Sequence, residues 1–353
     1  MALSNAVVPI LPSLANGTTA QGAIYAGYFL GSFLLTVPAG LLADRTDPVF
    51  LIKAGLLITL ASGLLLTLPA DTVVMSLVRV LEGAGGGIFM SAALTWVNEQ
   101  TDHTALSGYF MAALNGGLVA GIIVAGLFES PFGARSGIAI FTFFAGVAAL
   151  LGLTIREGGV PPREWGPFPR EGMGTRLMRL VSMYRWIWLS ALVLVGSTGA
   201  VTAIYPEFSD AQPNALVLPM AAMGIATVAA VLLTPLLRVP PIPAIRVAAI
   251  ATALSVIGVL ITPWALVAIG AAVGVVIISQ LEFLSDAEVQ QGSVMGIYNA
   301  AGYAGMTLLS FFAGILAEGA SFLWAFGGTA LLCVVVAATI GRCEGCTWSR
   351  GYD

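Results

Sequence analysis

The chain has 353 residues, of which 58% are hydrophobic and only 9% charged, and its mean hydropathy is +0.96. That is too apolar for a water-soluble globular domain of this length. The formal net charge of −4 selects no class of partner, and nucleic acid is not expected as one.

A hydrocarbon core of about 30 Å needs about 20 apolar residues per helix. The charged residues cluster in short segments between runs of that length, which predicts repeated spans rather than one anchor. A transmembrane β-barrel would instead alternate apolar and polar positions in segments of roughly 10 residues. Runs such as 138–155 and 325–340 are continuously apolar. In hydrocarbon they satisfy their backbone hydrogen bonds only as helices. The expected fold class is therefore an all-α polytopic membrane protein.

Twelve spans are predicted, at 2–15, 20–43, 49–69, 72–95, 105–128, 134–155, 184–206, 213–237, 243–261, 263–282, 291–316 and 320–341. The first is too short to cross and carries Pro9 and Pro12, which discourage a straight helix. Its inner half is expected to lie upstream of Met1, an expectation that mass spectrometry of the native N-terminus would test.

Lys and Arg in short loops mark the cytoplasmic side. Placing Arg45 and Lys53 inside also places the six arginines of 156–185 inside, together with Arg238, Arg246, Arg342 and Arg350. Arg135 falls outside, and Arg79 lies within a span. Both termini are thus expected in the cytoplasm, with the protein in the plasma membrane and lipid as its surroundings. Trp186, Trp188, Trp264 and Trp324 sit near span ends as interface anchors.

The segment 156–183 contains Pro161, Pro162, Pro167 and Pro169 and reads as a cytoplasmic linker, with a short interfacial helix in its second half. It divides a first six-helix bundle, 1–155, from a second, 184–341, followed by a tail, 342–353. An internal repeat agrees with this division. At a constant offset of 188 residues, Gly108, Ala112, Ala113, Gly117, Ala125 and Gly126 match Gly296, Ala300, Ala301, Gly305, Ala313 and Gly314.

Three segments carry candidate chemistry. The second and third spans are joined by Gly40-Leu41-Leu42-Ala43-Asp44-Arg45, and the fourth contains Arg79-Val80-Leu81-Glu82-Gly83. The fifth contains Asn115-Gly116-Gly117 through Gly121, with Ala125-Gly126 beyond. Together these segments resemble the major facilitator superfamily of secondary transporters, and most closely its drug/proton antiporter-like members.

The resemblance implies alternating access by two six-helix halves about a midplane cavity. It makes Gly40, Asp44 and Arg45 a conformational latch, although Asp47, Pro48 and Val49 stand where the family usually continues with Gly and two basic residues. It makes Gly83, Gly117, Gly121, Gly126, Gly305 and Gly314 helix-packing positions. Ile122 replaces the proline that the fifth-span antiporter motif carries after Gly121, which separates the antiporter reading from the transporter class.

Charge at membrane depth is itself a functional signal. The spacing of three places Arg79 and Glu82 on one helix face. Glu82 is the expected proton carrier, with Arg79 and desolvation acting on it in opposite directions. A permanent structural pair is the alternative. Asn115, Tyr298 and Asn299 are expected cavity hydrogen bonders, or packing contacts between helices.

No cofactor or metal is expected: Cys343 and Cys346 supply only two ligands, and His103 is alone. Enzymatic chemistry is not expected, because no His lies at membrane depth. No phosphate-binding loop for ATP is present. The expected function is proton-coupled efflux of a small hydrophobic compound by a monomer. Alternatives are movement of a metabolite such as a sugar or organic anion by symport or uniport, and a transport-dead receptor or scaffold on the same fold.

Overall fold

A computed structural model describes residues 1–43, 46–98, 103–155, 178, 181–285 and 291–342. Among them there is no strand. Eleven helices are long and apolar enough to cross a membrane. In chain order these are α3 (Thr18–Ala43), α4 (Pro48–Thr67), α5 (Thr72–Asn98), α6 (His103–Phe132), α7 (Ser136–Thr154), α8 (Arg185–Ser209), α9 (Pro213–Leu237), α10 (Pro241–Gly258), α11 (Ala265–Ser285), α12 (Gln291–Gly319) and α13 (Phe322–Thr339).

Before them come α1 (Ala2–Ala6), a 3₁₀ turn (Val8–Ile10) and α2 (Leu11–Leu14). Pro9 and Pro12 lack the N–H that a continuous helix needs, so the segment breaks there. It is nonetheless interior: Leu3, Ala6, Val7, Val8, Ile10 and Leu11 are buried. At 1.5 Å per residue it spans about 20 Å, less than a bilayer core.

Helix boundaries follow local chemistry. Asp47 caps α4, its carboxylate accepting from the Val49 N–H at 2.9 Å, with Pro48 in the first turn where no N–H is required. Asp71 accepts from the Val74 N–H at 2.9 Å at the start of α5. After α6 the chain turns at Gly133, whose φ of +93° suits a residue without a Cβ.

The helices pack in two groups. α3, α4, α5, α6 and α7 contact one another, with α1 against α6 and α7; α8 to α13 form the second group. The groups meet where α3 packs on α12 and α8, and where α6 packs on α9. Leu65, Leu150, Leu236 and Leu332 point away from both groups and are exposed, as expected of side chains meant for lipid. Trp188 differs from the expectation of an interface anchor: it is buried and packs edge-on against Tyr184.

Candidate coupling site and interhelical seal

The positive-inside expectation makes the end carrying the α2–α3, α4–α5 and α6–α7 connections the outer one. Arg79 and Glu82 lie in the first half of α5 from that end. They are among the most enclosed charged side chains in the protein, 0% and 2% exposed. Arg79 Nη1 donates to Glu82 Oε2 at 2.5 Å. Its Nη2 donates to the Ser4 carbonyl of α1 at 3.1 Å, and its Nε to the Ile24 carbonyl of α3 at 3.3 Å. The guanidinium carbon lies 5.0 Å from the centre of the Tyr28 ring. A buried charge is tolerable only when paired and hydrogen-bonded. Here one side chain meets both conditions with donors aimed at two other helices.

That reach depends on how closely α3 and α5 approach. A Cβ on Gly83 would collide with the Tyr28 carbonyl, and one on Gly31 with the Val80 carbonyl. Gly27 and Gly31 form a small-xxx-small pair on α3, the spacing that lets two membrane helices touch backbone to backbone. With bulkier residues the Ile24 carbonyl would be held away from Arg79.

Glu82 also faces a cavity of about 430 Å³ inside the first group of helices. Its walls include Phe89, Phe110, Phe141 and Phe144, with Met1 and Ala2 at one end; Tyr28 and Thr59 add the hydroxyl groups. The cavity is therefore apolar and aromatic with one carboxylate, and it lies among α1 and α3 to α7 rather than between the two groups.

Of the other sequence-derived positions, Gly121 abuts the Ala2 carbonyl, and a Cβ on Gly117 would lie 3.4 Å from the Ala2 nitrogen. Gly126 abuts Pro213 and Val217 of α9, Gly305 the Leu192 carbonyl of α8, and Gly314 the Thr18 carbonyl of α3. Asn115 is half-buried, Tyr298 buried and Asn299 exposed; none of the three lines the Glu82 cavity. Gly40 is described, with only Ser91 near it, whereas Asp44 and Arg45 lie outside the described residues. So do Cys343 and Cys346. Among the described residues, no three His, Cys, Asp or Glu side chains converge as a metal site.

Sequence reasoning missed the contacts that join α3 to α12. These helices run antiparallel in a fixed register. Thr18 Oγ1 donates to the Gly314 carbonyl at 2.8 Å, Gly22 lies against the Ser310 carbonyl, and the Phe29 and Tyr303 rings are 6.3 Å apart. Beyond that point the same register would bring Thr36 to Gly296, yet a Cβ on Gly296 would meet nothing within 4 Å. Phe33 and Asn299 are exposed there. The close backbone contacts between the two helices lie at the outer end.

At the outer end two carboxylates from the second group hold the start of α3. Glu318 Oε2 accepts from the Thr19 N–H at 2.8 Å, and Glu207 Oε2 accepts from Gln21 Nε2 at 2.7 Å. The first is an N-cap delivered by a different helix, satisfying a backbone donor that α3 cannot. The Gly-x-x-x-Gly spacing at Gly27 and Gly31 was visible in the sequence. Glu207 stood one residue past the predicted end of its span and read as loop.

Comparison with known proteins agrees with this architecture. A search of curated proteins found no match. Among solved structures, a point variant of the nucleoside transporter NupG superposes with a TM-score of 0.78 at 14% identity, covering 96% of this chain and 95% of that one. A bacterial homolog of the human lysosomal transporter Spinster, inward-facing and unoccupied, gives 0.75 at 15% identity, covering 96% and 92%. A peptide transporter of the POT type, in complex with sulfate, gives 0.73 at 16%, covering 97% and 91%. At these identities the likeness establishes the fold. The model of the Major Facilitator Superfamily matches residues 1–287, most of the chain. With its all-helical polytopic fold, this protein belongs to the major facilitator superfamily and is a multi-pass membrane transporter.

Proposed function

We propose that this transporter exports a small hydrophobic compound, a hydrophobic cation above all, in exchange for protons. The observation that carries this reading is Glu82: one carboxylate that faces Arg79 on one side and an aromatic cavity of about 430 Å³ on the other. A cavity with so few polar groups favours apolar cargo. Its single carboxylate gives a proton and a cation a common partner, so that binding of one displaces the other. The close contact of α3 and α12 at their outer ends fits a state shut toward the outside, from which export begins. Alternating access would then rock the two groups of helices, 1–155 and 184–341, as halves. Asp44 and Arg45, in the inner connection after Gly40, would latch them in the opposite state. In this reading the protein works as a monomer in the plasma membrane with both termini inside.

A second reading rests on fold neighbours that carry nucleosides and peptides, and would make the cargo a polar metabolite. The sparse hydroxyls of the cavity weigh against it.

The test is proton movement in proteoliposomes under an imposed pH gradient, with hydrophobic cations, nucleosides and organic anions added in turn. Collapse of the gradient by a hydrophobic cation in the native protein but not in Glu82→Gln is the expected result. Collapse by a nucleoside alone would establish the second reading. A response that survives Glu82→Gln would remove Glu82 from coupling.

A further inference from the structure

At the inner end of the second group, two arginines meet where α10 begins and α13 ends. Arg246, in the second turn of α10, donates through Nη2 to the carbonyl of Ile340, the C-cap of α13, at 2.8 Å. A cation there suits the open carbonyls and the negative end of the helix dipole. That bond uses one of five guanidinium donors. Arg246 is exposed and bonds nothing else among the described residues. Gly341 follows Ile340 with a φ of +95°, and a Cβ on it would lie 3.0 Å from Arg246 Nη2 and 3.3 Å from Ile242. Glycine both turns the chain there and leaves room for the guanidinium. Arg342 comes next, at most about 7.6 Å from Ile340 between Cα atoms. It too is exposed, with no side-chain bond among the described residues.

The surroundings are short of negative charge. α9, α10 and α13 contain no Asp or Glu, and Arg238 closes α9 at the same end. Glu282 of α11 is the one carboxylate that the helices packed on α10 carry near this end among the described residues. Three arginines thus stand against one carboxylate. Arginines in short loops follow from topology alone. Arg246 lies inside a helix instead, and topology does not ask that it be fixed to α13 or that a glycine make room for it.

Beyond the arginines the surface is apolar. Val247, Ile250 and Leu254 of α10 and Leu331, Leu332 and Val335 of α13 are all exposed. The Arg246–Ile340 bond sets the register of these two helices, which run in opposite directions, so Ile250 and Leu254 come about level with Val335 and Leu332. From Arg246 to Leu254 is about 12 Å along α10, most of one leaflet of a hydrocarbon core about 30 Å thick.

We propose that the inner ends of α10 and α13 form a binding site for one anionic phospholipid. Arg246 and Arg342 hold its phosphate through charge-assisted hydrogen bonds, and an acyl chain lies along the apolar stripe shared by the two helices. Charge and stripe are continuous, which fits a phosphate that carries tails. A zwitterionic lipid brings its own ammonium group, which competes with the arginines for the phosphate. Bonded to both the lipid and the Ile340 carbonyl, Arg246 fastens the end of α13 to α10. The site stands apart from Glu82 and from the direction of transport.

Native mass spectrometry of the full chain, released from micelles containing added phosphatidylglycerol or phosphatidylcholine, counts the lipids retained per protein. One phosphatidylglycerol is the expected result, held more tightly than phosphatidylcholine. Arg246→Gln and Arg342→Gln should each weaken it by about tenfold, the effect of losing a hydrogen bond to a charged group. Arg135→Gln, at the outer end, should leave it unchanged. Arg246→Lys keeps the charge but cannot bond Ile340 and a phosphate with one planar fork, and should also weaken retention. Arg342→Gln removes no side-chain bond within the described protein, so its effect is not one of folding; a monodisperse elution profile checks Arg246→Gln. Equal retention of the two lipids, or retention unchanged in either glutamine variant, overturns the inference. So does full binding by Arg246→Lys, which would show a diffuse surface potential rather than a site. Displacement of the lipid by an equal concentration of inorganic phosphate would make the occupant a free phosphate and overturn the lipid assignment.

Discussion

Breaking the Arg79–Glu82 pair from each side in turn tests whether it holds the first group of helices together. Arg79→Met removes the ion pair and the donors to Ser4 and Ile24. It leaves Glu82, 2% exposed, without its cation. Glu82→Leu leaves the guanidinium, 0% exposed, with two neutral carbonyls and the Tyr28 ring. Removing one partner of a buried pair costs about 3–5 kcal/mol, whereas replacing both by apolar side chains of similar volume is often neutral or stabilising. Each single variant is therefore expected to lose about 3–5 kcal/mol, and the double variant about 1 kcal/mol or less. The coupling from the double-mutant cycle should then be about 5 kcal/mol or more, far above the few tenths found for independent sites. Reversible unfolding in mixed lipid–detergent micelles titrated with SDS, followed by tryptophan fluorescence, supplies the four free energies. Single losses that simply add in the double variant would refute the argument, since they would show that neither charge depends on the other for its burial.

Gly31→Ala forces a methyl group onto the Val80 carbonyl and should destabilise by about 1–3 kcal/mol, the usual cost of overpacking. Gly116→Ala, with nothing within 4 Å of the added carbon, should instead stabilise by roughly 0.5–1 kcal/mol; thermal unfolding of the two variants should move in opposite directions. Glu318→Ala removes the acceptor for the Thr19 N–H. In a chain whose three native cysteines are replaced, it should speed labelling of Thr19→Cys by an impermeant maleimide added outside. Orientation is checked with the same reagent on intact cells: Asp71→Cys should label from outside and Thr46→Cys only after permeabilisation. The reverse pattern would exchange the inner and outer ends of every helix.

The ion pair shows how far sequence reading reaches. Arg79 and Glu82 were legible because a charge in an apolar run is conspicuous and a spacing of three puts both on one face. The rest of that site was not legible, because Arg79 bonds the backbone carbonyls of Ser4 and Ile24, and a carbonyl carries no residue signature. The glycines after Asn115 marked α6 as a packing helix, but nothing local said that Gly121 would lie against Ala2 of the broken first segment. For Asn115, Tyr298 and Asn299, polarity within a span suggested a shared cavity. The Glu82 cavity formed elsewhere, among aromatic residues that look like ordinary lipid-facing or packing positions in a linear chain.

What the sequence determined by itself is the set of helices and their confinement to a membrane. A backbone in hydrocarbon must bond internally, and each apolar run meets that demand within its own residues. Prolines such as those of the first segment, and caps such as Asp47, act within one turn and are equally local. The tertiary structure decided which helices touch, and at which end. Gln21 and Glu207 meet across 186 residues of chain, and Thr18 meets Gly314 across 296. Both follow from the shape fit of glycine-lined helix faces summed over the whole bundle. Between lipid and protein the hydrophobic difference is small, so packing and a few interhelical hydrogen bonds set that arrangement.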